Sequence, residues 1–174
     1  MKVGWGGIVG RIPTLLYWLP RQLVPIACVD VLPLEIGEGE PRVGLIRRET
    51  GGGTTVWAMV GGGVHRGETI DEAIHRHVRT TLGARVKWQY VDGESDPVVA
   101  EYFPWERQGH GIDSRKHAIA LSYAVRLGGH PSAQDEAIEF KWFKAGSVPS
   151  AASIWAGQHA PIMRLLEAQG GARG

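Results

Sequence analysis

The segment from Gly61 to Gly83 limits what this chain can fold into more than any other. Three consecutive glycines, Gly61-Gly62-Gly63, follow the short apolar run Val56-Trp57-Ala58-Met59-Val60. Glycine lets backbone approach a neighbour or a ligand closely, so the run reads as a strand over 56–60 stopped by a tight loop. A helix then follows over 69–82. Thr69 is a good N-cap, and Asp71 and Glu72 place acid at the positive end of the helix dipole. Ile70, Ile74, Val78 and Leu82 recur at four-residue spacing and form one apolar stripe. Gly83 is the C-terminal stop. Glu72 and Arg76 stand four apart in the order that favours an ion pair along the helix. A helix with a single apolar stripe needs a surface to bury it against, and the flanking strands supply one.

Strand-forming residues recur over 25–36, 42–48, 86–103 and 116–127, the last two around a loop at 104–115, and again over 138–143. A closing helix is expected over 159–169, with Pro161 near its start, and a short one over 11–22 near Pro13. Strands, helix, strands, helix is an α+β order, with helices against a mixed sheet. The 174 residues suit one domain, 1–174, with 1–24 as an N-terminal extension and 170–174 as a fraying tail. At 43% hydrophobic residues the chain has enough apolar mass for a core, which excludes disorder as its main state.

Lysine plus arginine is 19 and aspartate plus glutamate is 18, so nucleic acid is not an expected partner. A single cysteine, Cys28, forms no intramolecular disulfide and no Cys/His zinc spacing, which fits a cytoplasmic setting. No apolar run approaches the roughly 18 residues that span a bilayer, so no membrane partner is expected. The patch Leu15-Leu16-Tyr17-Trp18-Leu19, bounded by Pro13 and Pro20, is too short for a signal peptide. It reads either as the subunit contact of a homodimer or as a cap on the core.

Within Gly62 to Ala84, Gly62, Glu68, Arg76, Val78 and Gly83 stand at spacings that resemble the Nudix box: Gly, five residues, Glu, seven residues, Arg-Glu, an aliphatic residue, any residue, Glu-Glu, any residue, Gly. The resemblance implies a Nudix-type α/β/α sandwich with a mixed β-sheet. It implies a small-molecule partner, a nucleoside diphosphate linked to another group, and hydrolysis of either the diphosphate or the sugar bond. The family's Mg²⁺ is held by the three glutamates of the box, and those positions here are His77, Thr80 and Thr81. Helix positions i, i+3 and i+4 share a face, so an imidazole and two hydroxyls stand where a hard cation wants anionic oxygen. Mg²⁺ is therefore expected to be weakly held or absent. The metal site is either lost, or His77, with His65, has become a base or a ligand for a softer ion. The resemblance pairs Glu68 with Arg76, fixing loop to helix. It makes Glu136, in the acidic loop before the last strand, a metal ligand or base. His77, Glu136 and Glu68 are the catalytic candidates, and Glu68 and Glu136 are also weak candidates for a metal.

Within this group the pattern is similar to the GDP-mannose mannosyl hydrolases. The parallels are Arg48 before the glycine loop, the segment Gly111-Ile112-Asp113-Ser114-Arg115-Lys116-His117 leading into a strand, and the acidic loop before Lys141-Trp142. Those enzymes cleave at the sugar carbon. They keep the last glutamate of the box, here Thr81, and a histidine base in the acidic loop, here Ala137. Arg48 and Arg66 offer guanidinium forks to phosphate beside Gly61 and Gly62, and His117 is placed at the cleft mouth. The expected function is hydrolysis of a nucleoside-diphosphate derivative such as a nucleotide sugar. The alternative is a non-catalytic Nudix-fold module that binds such a ligand or a protein.

Overall fold

The computed structural model describes residues 22–50, 52–91 and 96–171, together with Leu19. Apart from Leu19 and Gln22, the expected helix over 11–22 lies outside the described residues, as do the patch residues 15–18 and the last three tail residues. Among the described residues, nine strands form a mixed sheet: β1 (Ile26–Glu35), β2 (Arg42–Glu49), β3 (Thr55–Ala58), β4 (Val60–Gly63), β5 (Lys87–Tyr90), β6 (Val98–Phe103), β7 (Gly111–Ile112), β8 (Ala118–Gly128) and β9 (Ala137–Lys144). Two helices, α1 (Ile70–Leu82) and α2 (His159–Gly171), accompany it. β1 runs parallel to β8 and antiparallel to β2 and β4. β8 carries β5 and β6, both antiparallel, and β9 pairs with β2.

The alternation of β1 assigns a helix to each face of the sheet, because successive side chains of a strand point to opposite sides. Val29 and Val31 join Ile74, Val78 and Leu82 of α1 in one core. Leu32 and Leu34, on the other side, join Ile162 and Leu165 of α2 in a second. This is the expected α/β/α layering. Asp30 shares the α2 side, ahead of Leu32, and is one of the few polar residues buried in the fold.

The helix boundaries follow from local chemistry. Thr69 Oγ1 accepts from the Glu72 N–H, and the Glu72 carboxylate accepts from the Thr69 N–H at 2.8 Å, a reciprocal cap. Glu72 is therefore turned back to the cap rather than paired along the helix with Arg76. Gly83 adopts φ 118° and donates its N–H to the Arg79 carbonyl. The Ser132 and Gln134 N–H groups take the carbonyls of Leu82 and Thr81, so the loop before β9 closes the helix end.

The glycine run differs from its sequence reading. Val60 to Gly63 is itself a strand, in register with Cys28–Val31. The break comes one residue earlier, at Met59, whose N–H donates to Gln158 Oε1 at 2.9 Å. Glycine is needed here for approach: a Cβ on Gly61 would stand 2.2 Å from the Val29 carbonyl oxygen. Gly61→Ala is expected to lower stability by roughly 2 kcal/mol, as overpacking does. Gly52→Ala, whose Cβ would meet open space, is the control and should change little. Urea midpoints of the two variants check this, and equal midpoints would contradict it.

Candidate functional site

A pocket opens on the α2 side of β1, beyond the part of the sheet that α2 covers. Its floor is Asp30 and Cys28 of β1 with Tyr102 of β6. Its walls are Gly61 and Gly62 of β4, Arg48 of β2, and Arg115 and Lys116 from the turn between β7 and β8. Trp155 and Gln158, from the turns ahead of α2, complete it. Ala118 and Ala120 of β8 carry too little side chain to fill the space beneath.

Three cations converge here. Arg48 Nη2 forms an ion pair with Glu136 Oε2 at 2.9 Å. The Arg115 guanidinium grips buried Asp113 through two bonds, of 2.8 and 3.0 Å. Both guanidinium groups lie over the Trp155 ring, 5.7 and 5.2 Å from its centroid, so the indole spaces two positive charges. Lys116 Nζ donates to Cys28 Sγ at 3.2 Å. Among the described residues no carboxylate lies within ion-pair distance of Lys116.

Burial controls the protons at the floor. Asp30 is 7% exposed, and desolvation pushes its carboxyl up to about 6, against the smaller opposing pulls of the Gln158 hydrogen bond, Lys116 and Arg48. Gln158 Nε2 donates to Asp30 Oδ2 at 3.1 Å. Burial also raises the Cys28 thiol and lifts the Tyr102 hydroxyl well above the ordinary phenol range. That hydroxyl is buried, and among the described residues it has no hydrogen-bond partner.

The box residues stand mainly on the other side of β4. A Cβ on Gly61 would point at Asp30, whereas one on Gly62 would lie 2.7 Å from His77 Cε1. Adjacent strand positions face opposite ways, so His77 packs behind the glycine strand while the pocket lies before it. His77 Nε2 is 3.3 Å from the Gly63 carbonyl oxygen, and burial, aided by Arg76, pushes its ring down to about 4. Glu68 takes Arg76 Nε at 2.7 Å and Nη2 at 2.8 Å, and also the His65 N–H. The Arg76 bonds hold its carboxyl down at about 2. Arg76 reaches the Gly63 carbonyl as well, so this pair fixes the glycine strand to α1.

Thr80 and Thr81 do not share one open face with His77. Thr80 is exposed and donates to the Arg76 carbonyl of its own helix. Thr81 is 2% exposed, covered by the loop that closes the helix end. The three positions span an arc that runs from core to solvent. Neutral hydroxyls and a ring turned to a carbonyl are donors that do not fit Mg²⁺. Among the described residues, no group of three or more histidines, cysteines or carboxylates is placed to hold a metal ion.

Of the residues expected from sequence to bind ligand, Arg48, Gly61 and Gly62 come together at the pocket, and Glu136 reaches it through Arg48. Arg66 is exposed on the loop between β4 and α1. His117 stacks on Phe103, centroids 4.5 Å apart, outside the pocket lining. Asp30, Tyr102 and Gln158 are not singled out by sequence, and Lys116 is included only as part of the segment Gly111 to His117. Asp30 carried a signal, a carboxylate in the middle of the apolar run Cys28-Val29-Asp30-Val31-Leu32. Gln158 carried none.

Residues 17–167 match a family model described as "Domain of unknown function (DUF4916)". No curated protein matches the chain. A solved structure from Jonesia denitrificans, described as a possible asymmetric diadenosine tetraphosphate (Ap4A) hydrolase, is similar at 31% identity and TM-score 0.75, over 85% of this chain and 96% of that one. A MutT Nudix hydrolase from Burkholderia pseudomallei is similar in fold at 19% identity and TM-score 0.57, over 82% and 97%. The Nudix domain of Shewanella oneidensis NrtR, complexed with ADP ribose, is similar in fold at 14% identity and TM-score 0.57, over 84% and 88%.

Proposed function

We propose, from the premise that this chain belongs to the family described as "Domain of unknown function (DUF4916)" and shares its fold with Nudix hydrolases, that it is a hydrolase of a nucleoside-diphosphate derivative with an altered active site. The observation that carries this reading is the convergence of Arg48, Arg115 and Lys116 on one pocket that the Gly61-Gly62 backbone also lines. Guanidinium forks and an ammonium suit phosphate oxygens, and glycine lets a diphosphate come close. The neighbours support the ligand class, since one is described as a possible Ap4A hydrolase and another is complexed with ADP ribose.

The chemistry departs from a metal-centred one. With His77, Thr80 and Thr81 on α1, Mg²⁺ is weakly held or absent, and leaving-group charge falls to the arginines, Lys116 and backbone N–H groups. Glu136, joined to Arg48 at the pocket edge, is the candidate base with access to ligand. Glu68 and His77 act on the glycine strand, the first through Arg76 and the second by packing against Gly62. A nucleotide sugar is the ligand closest to the sequence pattern. A cytoplasmic location is the reading that a single cysteine, Cys28, supports.

The missing box glutamates favour a second reading, a module that binds the same ligand without cleaving it. One panel separates the two. Nucleotide sugars, dinucleoside polyphosphates and ADP-ribose are incubated with the protein in Mg²⁺, Mn²⁺ or chelator, and melting temperature is read in parallel, because a ligand of the folded state raises it. Turnover of a panel member, little changed by chelator, is the expected result. A raised melting temperature without turnover in any condition establishes the binding module. Neither effect with any compound would overturn both readings.

A further inference from the structure

We propose that the pocket floor is a subsite for a phosphate oxyanion, in which Asp30 in its acid form and the Tyr102 hydroxyl donate hydrogen bonds to ligand oxygens beside the Lys116 ammonium. This deepens the reading of the pocket given above and rests on it.

The geometry fixes which atoms are available. Gln158 cannot flip, because its Oε1 accepts the Met59 N–H at 2.9 Å. Its Nε2 must therefore donate to Asp30 Oδ2, at 3.1 Å. A proton carried by Asp30 then sits on Oδ1. Oδ1 stands against Gly61, where a Cβ would come within 2.6 Å of it, so only a glycine at 61 leaves room beside that oxygen. Tyr102 is 3% exposed, lines the same pocket, and among the described residues its hydroxyl has no partner. A buried donor left unmade costs about 1–3 kcal/mol, which a ligand oxygen would recover. The two arginines are already engaged by Glu136 and Asp113. Lys116 is the pocket cation without a carboxylate among the described residues.

The charge balance selects the acid form once an anion is bound. The groups that act on Asp30 are Lys116 and Arg48, which favour its ionised state, and Glu136, Cys28 and Tyr102, which do not or are disfavoured by it. Asp113 and Arg115 line the same pocket and neutralise one another. Against these, burial already holds the carboxyl at about 6. A phosphate placed beside it adds negative charge and raises it further. Binding then takes up a proton, and affinity falls as pH rises. A neutral carboxyl serving as hydrogen-bond donor to an anionic oxygen is known chemistry in an apolar site.

The test uses two probes whose charge is fixed across the range: sulfate, and ADP-ribose with its doubly esterified diphosphate. Affinities are measured by calorimetry from about pH 5 to about pH 8, with melting curves in parallel, on the natural protein, Asp30→Asn and Tyr102→Phe. Asparagine can keep the Gln158 bond and offers an N–H where the acid proton stood. In the natural protein the affinity should fall by about tenfold or more across this range, as a ratio of acid to ionised carboxyl requires. In Asp30→Asn it should be nearly flat and equal or exceed the natural value at the alkaline end. Tyr102→Phe should weaken both probes at every pH while keeping the slope. Binding that is flat with pH in the natural protein, or a slope that survives Asp30→Asn, would overturn the subsite while leaving the diphosphate reading intact. No binding of either probe by any of the three proteins would overturn the subsite. The panel above then decides the diphosphate reading independently.

Discussion

Replacing Asp30 by asparagine is expected to stabilise the protein at pH 7 by about 3 kcal/mol and to change nothing below about pH 4. The carboxyl sits at about 6 in the fold against an ordinary 3.8. Two units or so of displacement, at about 1.4 kcal/mol each, give that figure. The sign follows from which state holds the proton. Below the unfolded value both states are protonated and burial costs nothing extra. As pH rises from there, the unfolded chain ionises first, and folded stability falls until Asp30 ionises in turn near 6. Asparagine keeps the Gln158 hydrogen bond and never ionises. Denaturant unfolding of both proteins between about pH 4 and pH 8 measures the divergence. Parallel pH profiles would mean that Asp30 is solvated in the fold and not buried. A buried acid that costs stability, in a cleft lined by cations, is the signature of a functional group rather than a packing one.

The opposite sign holds at the Glu68–Arg76 pair. Arg76→Met keeps the stem but removes the fork that holds the Glu68 carboxylate by two bonds and the Gly63 carbonyl by a third. It is expected to cost about 3 kcal/mol at neutral pH, as removing one partner of a shielded pair does. Glu68 is held down at about 2 from an ordinary 4.5. The stability it contributes is complete above the unfolded value and is lost as pH falls through the folded one. The natural protein and Arg76→Met should thus converge between about pH 4.5 and pH 2. A double change, Glu68→Gln with Arg76→Met, should cost much less than the sum of the single changes, since both remove one interaction. Additive losses would show that the two side chains do not act as a unit.

These effects fall on different sides of β4, and that explains how much of the site could be read in advance. α1 was legible because its signals are local: Thr69, the four-residue stripe from Ile70 to Leu82, and Gly83 all act within a turn of their own position. Arg48, Gly61 and Gly62 were legible because they adjoin the box. The glycine strand reads as a stop, because what pairs with it, Cys28 to Val31, lies about thirty residues away. Asp30 and Gln158 are separated by 128 positions, and Tyr102 and Lys116 come from further elements. The parallel pairing of β1 with β8, and β6 beyond it, brings Tyr102 and Lys116 to Asp30, and the turn ahead of α2 brings Gln158. The expectation that positions 77, 80 and 81 share a face was sound for an isolated helix. It did not include the loop that docks on the Thr81 and Leu82 carbonyls and buries one of the three.

In the proposed function the pocket before β4, rather than the helix face behind it, holds the phosphates of a nucleoside-diphosphate derivative without a metal. Calorimetric titration with ADP-ribose, in chelator and then in millimolar Mg²⁺, tests it most directly when Lys116→Ala is measured alongside. The expected result is binding in chelator, an affinity within about twofold when Mg²⁺ is added, and a loss of about tenfold or more in Lys116→Ala, the scale of one charge-assisted hydrogen bond. Binding that appears only with Mg²⁺, or that Lys116→Ala leaves unchanged, would contradict it.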